Sequence, residues 1–123
     1  MEFDRESFVK KFMDVWNSHD LEGIIAMFTE DIVFESSFGD MPWGMQAVGK
    51  DAARELIVDV FNRVPDIQFK ELRHFVCPEH ATVESLSTGT PVGGKPYEVH
   101  LVDVLTLRDQ KIAAKRSYRK AKL

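Results

Sequence analysis

The 123-residue chain is 44% apolar and 29% charged, with a formal charge of −4, the balance of one globular domain (1–123) around a single core. No apolar run approaches the roughly 18 residues that span a bilayer, and the opening Met-Glu-Phe-Asp-Arg-Glu is too charged for a signal peptide. Cys77 is the one cysteine, which excludes an internal disulfide and predicts a cytoplasmic protein without a membrane partner.

The first helix is read from Phe3, Phe8, Phe12, Val15 and Trp16, an amphipathic stripe behind an acidic start at Asp4 and Glu6. Asn17-Ser18-His19-Asp20 ends it, and Asp20 is placed to cap a short helix carrying Leu21, Ile24, Ile25 and Phe28. A strand is predicted over Ile32–Ser37. Residues 38–49 read as a loop rich in large apolar groups (Phe38, Met41, Trp43, Met45). A third helix follows Lys50-Asp51, with Ala53, Leu56, Ile57, Val60, Phe61 and Val64 inward and Pro65 as its stop. Four strands complete the chain: Ile67–Val76 with unbroken alternation, Ala81–Thr90, Tyr97–Leu107 and Ile112–Arg119. Helices followed by antiparallel strands make an α+β domain.

Asp103 stands out. Tyr97, Val99, Leu101, Asp103, Leu105 and Leu107 share one face of their strand, and only Asp103 breaks its apolar character. A carboxylate there must be paired, hydrogen-bonded or protonated. It is either a functional acid or a structural group held by a buried cation or backbone N–H.

Other constellations are weaker. Residues 111–123 hold Lys111, Lys115, Arg116, Arg119, Lys120 and Lys122 and no acid, but alternation splits them between faces. With no aromatic interleaving, they do not read as a nucleic-acid surface. His74, Cys77 and His80 have regular spacing, yet a strand running into a proline turn would not converge them and a fourth ligand is absent, so no metal is expected. Ser36 and Ser117 lack a histidine on their face, which leaves a nucleophilic triad unsupported. His100, Val102, Val104 and Thr106 form an outer face too apolar for water, and a homodimer through the sheet would cover it.

Phe12-Met-Asp-Val-Trp16-Asn17-Ser-His-Asp20-Leu21, Ile25-Ala-Met-Phe28-Thr-Glu-Asp31-Ile-Val-Phe34-Glu35, Gly49-Lys-Asp-Ala before a helix, and Val102-Asp103-Val104 with Asp109-Gln110-Lys111-Ile112 together resemble the nuclear transport factor 2-like superfamily. Its members include ketosteroid isomerases, limonene epoxide hydrolases and SnoaL-like cyclases. The resemblance covers essentially the whole chain. It implies a cystatin-like α+β barrel: a curved, mixed sheet wrapped around three N-terminal helices, cone-shaped, with an internal apolar pocket and no cofactor.

The family's catalytic groups carry over only in part. The isomerase base, oxyanion-hole tyrosine and protonated oxyanion-hole aspartate match Ser36, Phe12 and Asp103; this family is a standard example of a neutral pocket carboxylic acid. In the epoxide hydrolases, Asp103 again matches a catalytic acid. The partner arginine becomes Leu101, the second aspartate Ser117, and the water-holding tyrosine and asparagine Phe34 and Ser36. Where the cyclases tend to use an acid on the last strand, this chain has Lys115 to Lys120.

The implied pocket draws on Phe12, Trp16, Phe34, Ser36, Leu101, Leu105 and Ser117, with Trp43 and Met45 as a lid, to bind a small apolar molecule. Asp103 and Lys115 are the catalytic candidates. If Lys115 pairs with Asp103, the acid is a base or a structural ion; if not, it is a neutral acid. The expected function is general acid–base chemistry, by isomerisation, cyclisation or hydration. The alternative is a non-catalytic module binding a small hydrophobic ligand.

Overall fold

A computed structural model describes residues 3–121, so Lys122 of the basic run lies outside the described residues. Helix α1 (Arg5–Asn17) starts where the Asp4 carboxylate accepts the Ser7 amide, and α2 (Leu21–Ala26) starts where Asp20 accepts that of Gly23. Each cap satisfies an N–H that the first helical turn leaves unpaired. Phe8, Phe12, Val15 and Trp16 are buried, as the stripe requires.

The sheet holds β1 (Phe28–Glu35), β2 (Gln46–Val48), β3 (Gln68–Val76), β4 (His80–Gly89), β5 (Tyr97–Arg108) and β6 (Lys111–Arg119) in the order β2-β1-β6-β5-β4-β3. Neighbours are antiparallel except β1 and β6, which run parallel. Helix α3 (Lys50–Arg63) connects β2 to β3, and the curved sheet wraps on the helices. The expected α+β architecture, a curved mixed sheet with three helices, is the one found, and the sheet has six strands.

Four local expectations need correction. Strand β1 begins at Phe28, not Ile32, so Phe28 leaves α2 and becomes a fully buried strand residue. The loop 38–49 contains β2, paired through Phe34↔Ala47. The last hairpin turns on two residues only, Asp109 and Gln110, both at positive φ (53° and 65°), as a tight hairpin twisting with its strands demands. In β3 the pairing jumps from Glu71↔Ser85 to Arg73↔Glu84, leaving Leu72 as a bulge. Beyond a bulge the side chains exchange faces. Phe69 therefore faces inward while Phe75, six residues on, is 72% exposed.

Ile24, Phe28, Ile32, Ile57, Val83, Leu105 and Ile112 form the fully buried centre. Asn17 ties α1 to the sheet. Its amide donates to the Phe69 carbonyl (2.8 Å) and its carbonyl accepts the Phe69 N–H (2.7 Å). That clamp sets α1 over the open side of the cone. In α3 only Ala53 and Ile57 are buried; Leu56, Val60, Phe61 and Val64 stay half-exposed, and Val60 and Val64 border a cavity.

Candidate functional site

The cavity lies between α1, α3 and the concave face of the sheet and has a volume of about 460 Å³, within the usual range for small-molecule sites. Its walls are built by periodicity. Phe12 and Trp16 project from one face of α1, Phe34 from β1, Leu101 and Asp103 from β5, and Lys115 and Ser117 from β6. The register Leu101↔Arg119, Asp103↔Ser117 and Leu105↔Lys115 puts alternate residues of both strands on this face.

Asp103 and Lys115 are each 6% exposed. Lys115 Nζ is 3.0 Å from Asp103 Oδ1 and donates to Ser117 Oγ at 2.8 Å. The Ser117 hydroxyl donates to the same Oδ1 at 2.6 Å. The ammonium also sits 4.8 Å from the ring centres of Trp16 and of Phe34, because the parallel register sets Phe34 beside Lys115. The aromatic faces supply a second source of attraction in a site short of water. Both polar contacts converge on Oδ1. Among the described residues, Asp103 Oδ2 makes no hydrogen bond, yet no buried side-chain oxygen is left unsatisfied. It follows that Oδ2 is open to the cavity.

Ser36 reaches the cavity wall with its hydroxyl already engaged. It donates to the Phe38 carbonyl (2.8 Å) and accepts the Met45 N–H (3.2 Å), closing the excursion between β1 and β2. Gly44 completes that turn at φ +75°, where a Cβ would run into the Ser36 carbonyl. The predicted lid residue Trp43 does not line the cavity; it is 47% exposed and sits by Met41 and Tyr118 in an adjoining groove that shares Phe38, Ser117 and Arg119 with it. Met45 does not line the cavity either; its Sδ lies 3.8 Å from Arg63 Nη2. Leu105 is the third correction, since it is fully buried in the core and not exposed on the wall. Phe38 takes the rim position instead, with the Arg63 guanidinium 4.6 Å above its ring.

Several wall residues escaped the sequence reading. Ser85 and Ser87 line the side opposite α1, and their period-two spacing on β4 was the available signal. Lys95 and Arg63 come from a loop and a helix end that no local pattern links to Asp103. At the other end of the sheet, His74 Nδ1 is 2.8 Å from Glu71 and Nε2 is 3.2 Å from Glu6. The hydrogen bond with Glu71, then that with Glu6, raises the His74 pKa above its ordinary 6.5. No helix among the described residues is long and apolar enough to cross a membrane.

A SnoaL-like domain matches residues 9–115. The chain belongs to the SnoaL-like family. Solved structures described as nuclear transport factor 2-like and ketosteroid isomerase-like share this fold. A nuclear transport factor 2-like protein from Anabaena variabilis is 23% identical, with 95% of this chain and 87% of that one covered at a TM-score of 0.78. A hypothetical protein with a ketosteroid isomerase-like fold from Catenulispora acidiphila, solved with trimethylamine, is 16% identical over 90% and 83% of the two chains, TM-score 0.78. A provisionally assigned polyketide cyclase from Xanthomonas campestris pv. campestris is 16% identical over 92% and 87%, TM-score 0.77. No curated protein matches this SnoaL-like chain in sequence.

Proposed function

We propose that this SnoaL-like protein is a small-molecule enzyme acting by general acid–base chemistry on a largely apolar substrate in the cone cavity, with Asp103 as the proton-transfer group. One observation carries the reading: Asp103 is held at Oδ1 by Lys115 and Ser117 while Oδ2 opens into an apolar cavity. An ion-paired carboxylate is a base. Oδ2 accepts a proton from carbon or from water, and the Lys115 ammonium, 3.0 Å from the same carboxylate, faces the negative charge that develops on the substrate. Returning the proton elsewhere on the substrate is isomerisation, attack of the carbanion within the substrate is cyclisation, and attack by deprotonated water is hydration.

5-Nitrobenzisoxazole tests this without knowledge of the natural substrate. Asp103 would take its ring C–H proton as the N–O bond breaks, releasing a coloured phenolate. Wild-type protein should accelerate the reaction above free carboxylate, and Asp103→Asn/Lys115→Met should lose about 100-fold or more, the usual contribution of a positioned base. Binding without acceleration would leave the second reading, a non-catalytic module in which Asp103 anchors a polar end of the ligand. That reading draws on Ser36, whose hydroxyl is committed to Phe38 and Met45, and on Phe12, which has no proton to give.

The same proposal includes a homodimer through the convex face of the sheet. There Val102 lies between Glu84 and Tyr118, and Val104 between Thr82 and Arg116, with Phe75 and Tyr118 exposed.

A further inference from the structure

The protein is acidic overall, at −4, but its cavity has the opposite sign. Arg63, Lys95, Lys115 and Arg119 line it, and Asp103 is the one acid among the described lining residues. Some of that charge is already matched. Lys115 is paired with Asp103, and Arg63 with Asp59 one helical turn away. Lys95 and Arg119 have no acidic partner among the described residues. They reach the mouth from different elements, Lys95 from the loop between β4 and β5 and Arg119 from the end of β6. The Arg119 guanidinium lies 5.1 Å from the centre of the Tyr97 ring. Stacking of that kind orients the group and leaves its N–H edge free for a two-pronged contact with a carboxylate.

Depth along β6 orders these charges. Arg119 lies two residues beyond Ser117, a strand rise of roughly 6–7 Å. The unmatched cations therefore sit at the mouth and the neutralised Asp103–Lys115 pair further in, with Phe12, Trp16, Phe34 and Phe69 around the space between. Unpaired positive charge over an apolar chamber fits a molecule with an acid at one end and a ring-sized apolar body at the other.

We infer that the natural ligand is an amphipathic carboxylate, its acid group held by Arg119 and Lys95 and its apolar body extending toward Asp103. The inference rests on the reading of this cavity as the substrate site and adds the substrate's charge and orientation. Anchoring the acid at the mouth would present the far end of the ligand to Oδ2 in one register.

Three probes with one body and different heads decide it: 2-naphthoate, neutral 2-naphthamide and cationic 2-naphthylmethylamine, titrated calorimetrically into the full chain. At low salt the naphthoate should bind about tenfold more tightly than the amide, roughly 1.4 kcal/mol, with the amine weakest. Raising sodium chloride from about 0.01 M to about 1 M, which shortens the screening length from roughly 30 to 3 Å, should erase most of the preference. Lys95→Gln/Arg119→Gln, both exposed positions, should bring naphthoate to within about threefold of the amide. Equal binding of acid and amide by the wild type, or a preference that survives the double substitution, overturns the inference. Failure of all three probes to bind overturns it together with the substrate-site reading. A clear acid preference in a protein inert toward 5-nitrobenzisoxazole removes only the catalytic part.

Discussion

Two ion pairs in this molecule rank in opposite order by distance and by consequence. Lys10 and Asp14 approach to 2.6 Å on α1, with side chains 77% and 62% exposed. Lys115 and Asp103 stand at 3.0 Å, with side chains 8% and 9% exposed. The closer pair is the weaker, because water solvates both its partners as well alone as together, and such helix pairs contribute about 0.3–0.5 kcal/mol. The buried pair has lost its water. Its two charges are compensated by each other, by Ser117 and by two aromatic faces, so removing either leaves the other stranded.

The largest expected effect breaks that contrast directly. Asp103→Asn should cost about 3–5 kcal/mol by stranding the Lys115 ammonium, and Asp103→Asn/Lys115→Met should recover most of it. Urea unfolding of the wild type and both variants measures this. A single variant as stable as wild type would show that Lys115 reaches water when unpaired, and the buried pair would then behave like Lys10–Asp14.

How much of this was legible from the sequence follows from the range of the forces involved. Asp103, Lys115 and Ser117 were readable because long strands joined by a short hairpin have one register, and period-two alternation then fixes which side chains meet. Helix stripes are equally local, so α1 and α3 could be read from spacing, and α2 up to Phe28, which belongs to β1 instead. The Leu72 bulge was not readable, since unbroken alternation from Ile67 to Val76 is as consistent with the residues as the observed break. Trp43 and Met45 failed for another reason. Their placement depends on Ser36 bonding across the loop and on a positive φ at Gly44, which no periodicity encodes. Leu105 shares a face with Asp103, but alternation gives a direction and not a depth. The cations Arg63 and Lys95 meet Arg119 only through tertiary folding, so the charge of the cavity mouth was invisible until the chain was assembled.

The second expected effect sets the two faces of β5 against each other. The concave face carries Asp103; the convex face carries Val102 and Val104, half-buried, and exposed His100. In the proposed dimer these valines and the exposed Phe75 and Tyr118 meet their copies. Val102→Glu would put a second carboxylate next to Glu84, whose own charge is already paired with Arg73, and would bury the new charge at the centre of that contact. Sedimentation should show the wild type as a dimer at micromolar concentration and Val102→Glu as a folded monomer. A wild-type monomer under those conditions would refute the dimer and leave the cavity reading untouched.

The smallest expected effect sharpens the comparison at a site between the two extremes. His74 is half-buried, with Glu71 of its own strand on one ring nitrogen and Glu6 of α1 on the other; Arg5 and His80 border the same depression. The two carboxylates raise its pKa in the folded state above 6.5, so the folded protein holds the proton more tightly than the unfolded chain. The stabilisation is then fully present below about pH 6.5 and is lost as pH rises through the raised folded-state value. His74→Gln removes the titrating group, and the stability gap between wild type and variant should be widest at about pH 6 and narrow by about pH 8.5. Denaturant unfolding at both pH values measures the gap, and an NMR titration of the His74 ring protons locates the midpoint. A gap that stays constant or widens with pH would show that His74 contributes by packing alone, and that solvated Glu6 and half-buried Glu71 act no more strongly on it than Asp14 does on Lys10.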